Sequence, residues 1–251
     1  MKFPTLHSHR FALEIIEQTD ELRLLWGELI EAVTSISDDE LIQTFERIQM
    51  ERGQRATRGF HAGQGDDSTG SIASSTGEGM SLSAAINALL RERLIKSGWQ
   101  AESALFQGDE YRDNRWKLDF SKMVTLPNSE ERLSAPTRSG MAVEVAFNHG
   151  EAIAWNLLKP VLASELNHVL KQVDVGAGVG VIITASKELK SAGAFDGAVG
   201  EYEKFLRYLA PMRNQLTVPL VIVGLPAPES FRIKKIRDET TRKNKGVVVK
   251  F

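Results

Sequence analysis

Two periodicities divide this chain. Residues 8 to 50 place apolar side chains at helical spacing. Within them Leu41, Ile42, Phe45 and Ile48 share one side of a segment whose start, Ser37 with Glu40 three residues on, has the form of a capping box. Met80 to Lys96 repeats the pattern with Leu82, Ile86, Leu89, Leu90 and Leu94, and Gly98 is the expected stop. Further helices are predicted over 150 to 172, with Pro160 as a kink, and over roughly 196 to 214. The two-residue period of strands marks 99 to 107, 116 to 124 and 141 to 147. VGVIITA (179–185) and VPLVIVGL (218–225) are β-branched, nearly all-apolar runs of buried-strand length. With a helix between them they predict a partly parallel or mixed sheet. The C-terminal residues close with one more short strand. The expectation is an α/β fold, a mixed central sheet flanked by helices with a helical N-terminal region. It is read as a single domain over 1–251: a helical part over 1–51, a flexible Gly/Ser-rich loop over 52–79, and a core over 80–251.

One strand breaks its own rule. In SGMAVEVAFNHGEA, Met141, Val143, Val145 and Phe147 form an apolar face, while Ala142, Glu144, Ala146 and Asn148 form the other. A carboxylate in the middle of a small-residue face is either solvent-exposed or held for a purpose, because burying it unpaired is costly. Asp119 also sits mid-strand, in WKLDFSK, and the two strands read as a hairpin joined by the loop 126–140. The two carboxylates can therefore face each other. Like charges that close repel unless a cation lies between them, and hard oxygens in this arrangement suit Mg²⁺.

Composition narrows the setting. The chain has 251 residues, 42% hydrophobic and 25% charged, enough for a full core. Without cysteine it has neither disulfides nor thiolate metal sites. No eighteen-residue apolar run appears, and the N-terminus lacks the apolar centre of a signal peptide, so no membrane partner and a cytoplasmic location are expected. The net charge of −2 argues against a nonspecific polyanion binder but not against an enzyme whose basic groups are local.

Other candidates are weaker. VGAGVGV (175–181) has the glycines of a phosphate loop but opens into a strand, where a dinucleotide loop would open a helix. His7 and His9 would share a side if extended, though their flank reads as helical and a surface polar stretch is preferred. Glu165 and His168 fall on one helical face, without the second such pair that a carboxylate metal site needs.

KLDFSK, AVEVAF, SELNHV, VGVIITA, VPLVIVGL and RKNKGVVVKF, in this order, resemble the BglII-type restriction endonucleases of the PD-(D/E)xK superfamily, over roughly residues 80 to 251. The resemblance implies a restriction-endonuclease-like fold and Mg²⁺-dependent, site-specific hydrolysis of double-stranded DNA by a homodimer at a short palindrome. It implies Asp119 and Glu144 as metal ligands and catalytic residues, with Glu102 as a third acidic group. The family's third position, two residues after the Glu, is usually Lys, Glu or Gln, and here it is Ala146. Asn148 or His149 is expected to substitute. Expected DNA contacts are Lys122, Arg132 and Arg138 near the hairpin, and Lys234, Lys235, Arg237, Arg242, Lys243 and Lys245 in the basic C-terminal stretch. Segment 52–79 is a candidate arm that closes on DNA. The alternatives are a DNA-binding module on an inactive nuclease scaffold, prompted by Ala146, and a helix-rich interaction protein.

Overall fold

In a computed structural model, the described residues are 1–61, 81–125, 138–165, 171, 173, 175, 178–237 and 244–251. A six-stranded mixed sheet runs through them. It is built from β1 (Thr5–His9), β2 (Gln100–Ala104), β3 (Lys117–Thr125), β4 (Arg138–Val145), β5 (Val179–Ala185) and β6 (Leu220–Leu225), in the order β1-β6-β5-β4-β3-β2. The three central strands β4, β5 and β6 are parallel, and β1, β3 and β2 add antiparallel edges. β5 and β6 are buried along their whole length, as their apolar runs require.

Alternation on the central strands sorts two helical layers. Met141, Val143 and Val145 of β4 join Val181 and Ile183 of β5 beneath the N-terminal helices α1 (Ala12–Gln18), α2 (Asp20–Thr34), α3 (Asp38–His61) and α4 (Ser83–Lys96). The opposite face, with Ala146, Ile182 and Ile222, is covered by α5 (Ile153–Ser164) and α7 (Tyr202–Leu209). A short α6 (Lys187–Ala192) precedes α7. A separate antiparallel hairpin, β7 (Phe231–Arg237) with β8 (Asn244–Lys250), anchors in the first core through Phe231 and Ile233.

The local signals resolve as their chemistry demands. Ser37 Oγ accepts from the Glu40 N–H at 3.2 Å, and the Glu40 carboxylate accepts from the Ser37 N–H at 2.9 Å, a reciprocal capping box. After α4, Gly98 takes φ +80°. Its N–H donates to Ile95 and the Trp99 N–H to Leu94, closing a Schellman turn over buried Leu94 and Trp99.

Several expectations are corrected. Residues 8 and 9 are not helical: they end β1, an edge strand whose ladder with β6 fixes the backbone before helical periodicity starts. Of the helix predicted over 196–214 only Tyr202–Leu209 is helical: the glycine-bearing stretch 193–200 precedes it, and a separate short helix, α6, lies ahead of the predicted range. The helix expected to reach 172 stops at Ser164, and Glu165 is extended, so Glu165 does not lie on a helical face; His168 is outside the described residues. α3 continues through the start of the expected loop to His61; the rest of that loop, 62–79, also lies outside the described residues. β7 was not anticipated, because its Lys and Arg content hid an alternation with only two buried apolar positions.

Candidate active site

The site begins where the β3–β4 ladder ends. The last pair is Phe120↔Val143, and one further step in that register sets Asp119 opposite Glu144. On the other side, β2 pairs with β3 through Ala101↔Phe120 and Ser103↔Leu118, so Glu102 is level with Asp119. Glu102 itself has φ +51°, an uncommon conformation outside glycine, and drops out of the ladder there. Three carboxylates thus stand at one rank across three adjacent strands.

Their environments differ. Glu144 is buried, facing α5, and this answers the puzzle of the small-residue face: it is neither exposed nor apolar-packed but directed at a lysine. Lys159 Nζ donates to Glu144 Oε2 at 2.8 Å. Glu144 Oε1 is buried with no hydrogen-bond partner. Burial first, and the neighbouring Asp119 charge second, push the Glu144 carboxyl up to about 8 despite the lysine. Asp119 is half-buried, and its Oδ2 accepts from the Val145 backbone N–H at 2.7 Å. Desolvation also raises its pKa, opposed by that hydrogen bond and by Lys159. Glu102 is exposed and accepts from Arg91 at 3.0 Å.

Asp119, Glu102, Lys159 and Val145 line one cleft of about 630 Å³, with Arg52, Arg91, Asn114 and Lys117 around it. An acidic floor with cationic flanks suits a polyanion that brings a divalent cation to its centre. Among the described residues, no group of three or more His, Asp or Glu side chains is gathered closely enough to hold a metal ion. With Glu102 turned to Arg91, the expected three-carboxylate set is not formed. The Asp119–Glu144 pair nonetheless has the chemistry of a cation site. Both groups have raised pKa values, and one buried carboxylate oxygen lacks a donor, a deficit that a cation would relieve.

The remaining expected residues fall elsewhere. Asn148 and His149 do not line the cleft: the Asn148 carbonyl accepts from the Gly200 N–H, and His149 forms a bridge with Val199. The β4 backbone has by then left the sheet toward the loop before α7, so the two residues are carried away from the carboxylates. Lys122 is also displaced from its expected role. It sits on the opposite sheet face, where its Nζ donates to both oxygens of Glu28 and to the Ser97 carbonyl. Arg138 begins β4; Lys234, Lys235, Arg237 and Lys245 are exposed on the terminal hairpin; Arg132, Arg242 and Lys243 lie outside the described residues. His7 and His9 occupy β1, with His9 Nε2 3.3 Å from the Leu216 carbonyl oxygen. VGAGVGV leads into β5 and not into a helix.

Lys159 was missed, although its signal is in the sequence. It is the only charged residue in IAWNLLKPVLAS, and a lone charge in an apolar helix is as anomalous as one on a small strand face.

Taken together, this sheet and acidic cleft define a nuclease-like α/β scaffold, and the comparisons are specific. The model of the restriction endonuclease BglII/BglIII family matches residues 5–225, so the chain belongs to that family, a family of type II site-specific deoxyribonucleases. The match takes in the N-terminal helices, which the sequence resemblance over 80–251 had left aside, and ends before the terminal hairpin. The crystal structure of restriction endonuclease BglII complexed with a DNA 16-mer aligns over 100% of both chains, at 17% identity and a TM-score of 0.54. That of free BglII also covers 100% of both chains, at 13% identity and a TM-score of 0.43. No curated protein sequence matches the chain.

Proposed function

We propose that the chain is a Mg²⁺-dependent restriction endonuclease that hydrolyses phosphodiester bonds in double-stranded DNA at a short palindromic site. One observation carries the reading: in a member of this family, Asp119 lines a cleft with cationic flanks and stands opposite the buried Glu144 across β3 and β4. Asp119 and Glu144 are the residues that would hold the cation. When bound, Mg²⁺ would supply Lewis-acid polarisation of the scissile phosphate and acidify a water.

The chain's own groups do the rest. Asp119 is oriented by the Val145 N–H, so its Oδ1 is the oxygen left for a ligand. Arg91, Lys117 and Arg52 surround the cleft where a DNA backbone would pass, and their contacts would make affinity salt-dependent. The hairpin cations Lys234, Lys235, Arg237 and Lys245 extend the basic surface. A homodimer matches the two-fold symmetry of a palindrome, with each subunit cutting one strand. We place the enzyme in the cytoplasm, where DNA is met, and read residues 1–251 as one nuclease domain.

Ala146, buried beneath α5, supports a second reading, a DNA-binding module on an inactive scaffold. Incubation with mixed-sequence plasmid and Mg²⁺ decides between them. Discrete fragments, abolished by EDTA and by Asp119→Asn, are expected, and sequencing their ends gives the site. Retarded but intact DNA across a varied panel overturns the enzyme in favour of the module.

A further inference from the structure

We infer that Lys159, carried on helix α5, is the catalytic cation of this site and takes over the task that the strand residue Ala146 cannot perform. The inference rests on the nuclease reading above and concerns which residue meets the scissile phosphate.

The strand position is closed to any such role. Ala146 is 2% exposed, its N–H donates to Ile183 at 2.7 Å, and its carbonyl accepts from Thr184 Oγ1 at 3.0 Å. It lies in the apolar cluster that also holds Ile153 and Leu157 of α5. Lys159 arrives from that same helix. Its ammonium has three donors, of which Glu144 Oε2 occupies one, and it lines the cleft together with Asp119.

The helix is held so that this reach is possible. Pro160, the next residue, rests on β5 at Gly180, where an added Cβ would stand 2.5 Å from the Pro160 Cβ. Only a glycine lets α5 come this close to the sheet. One turn earlier, Trp155 packs edge-on against Trp116 at 5.2 Å, and its Nε1 donates to the Arg115 carbonyl at 3.0 Å. That contact ties α5 to the segment leading into β3, and hence the lysine to Asp119. An ammonium fixed to one metal-binding carboxylate and open to the cleft can donate to a non-bridging phosphate oxygen as negative charge grows there.

The step balances without a proton leaving Lys159. The oxygen of one water bonds to phosphorus while the P–O3′ bond breaks, one proton of that water passes to solvent, and the departing oxygen takes up a proton from solvent.

Lys159→Met is expected to cut at least about a hundredfold more slowly than the parent, the scale of a lost transition-state donor. A lysine that only neutralises Glu144 would not touch DNA. The decisive second readout is therefore the salt dependence of DNA binding with Ca²⁺ in place of Mg²⁺. Loss of one phosphate contact lowers the slope of log K against log salt by about one. Cleavage within about threefold of the parent, or an unchanged salt slope, overturns the inference. If Lys159→Met does not fold, Lys159→Gln is read by the same two measurements. If the parent cuts no DNA, the nuclease reading fails by itself, and the salt slope still decides whether Lys159 meets phosphate.

Discussion

Two lysine–glutamate pairs lie on opposite faces of this sheet at the same distance, and they are built for different ends. Lys122 and Glu28 meet at 2.8 Å under α2, with side chains 23% and 33% exposed. All three ammonium donors and both carboxylate oxygens of that pair are engaged: Lys122 bonds both carboxylate oxygens and the Ser97 carbonyl, and Glu28 also accepts from Trp99 Nε1 at 2.8 Å. Lys159 and Glu144 also meet at 2.8 Å, but at 9% and 3% exposure, with one carboxylate oxygen unpartnered and Asp119 alongside. A saturated pair fastens a helix to a sheet. An unsaturated one, buried at some cost, is what a ligand completes.

The comparison can be broken most sharply by exchange of amide for acid. Glu144→Gln is expected to lower cleavage by on the order of 10³, as is Asp119→Asn, whereas Glu28→Gln leaves the rate within about threefold. Equal losses for Glu144 and Glu28, measured in single-turnover assays on one substrate, would erase the distinction.

The next effect is on stability and pH. The Glu144 carboxyl keeps its proton in the folded protein up to about 8, whereas it would lose it near 4.5 in the unfolded chain. The folded state therefore binds more protons across that window, and without divalent cation Glu144 makes stability fall as pH rises from 4.5 to about 8, by a few kcal/mol in order of magnitude. Asp119, also raised, acts in the same direction. Urea unfolding of parent and Glu144→Gln in EDTA should show the steeper slope in the parent, with only the Asp119 part left in the variant. Added Mg²⁺ should flatten it, because the cation favours the ionised form. A parent curve that parallels the variant would refute the shift.

Lys122→Met should cost about 1–2 kcal/mol by removing charge-assisted hydrogen bonds, with no change in cleavage rate. A cleavage loss beyond its effect on folding would return Lys122 to the DNA interface. The smallest effect is expected on the terminal hairpin: alanine at Lys234, Lys235 and Arg237 together should weaken DNA binding similarly for all sequences and reduce the salt slope by about one per lost contact.

How far the sequence spoke depended on whether chemistry and period agreed. β5 and β6 were legible because β-branched runs of that length have few other homes. Asp119 and Glu144 were legible because each interrupts an apolar strand, and a hairpin register brings them together. β1 was hidden because its pairing partner, β6, is more than two hundred residues away, and TLHSH has no apolar alternation of its own. Asn148 and His149 follow from chain proximity to Glu144, whereas the lone charge of Lys159 in an apolar helix marks an anomaly without saying which strand it meets. The approach of α5 to the sheet is a tertiary fact, set by Gly180 under Pro160, and no local period encodes it.

That seating of Pro160 on Gly180 also bears on which changes the family can absorb. The amine and the residue that docks its helix are neighbours, so their placement is measured by the gap between two stacked layers and not by any connecting segment. Insertions before or after α5 can lengthen freely without altering the acid–amine distance, whereas a single methyl group at position 180 would move it.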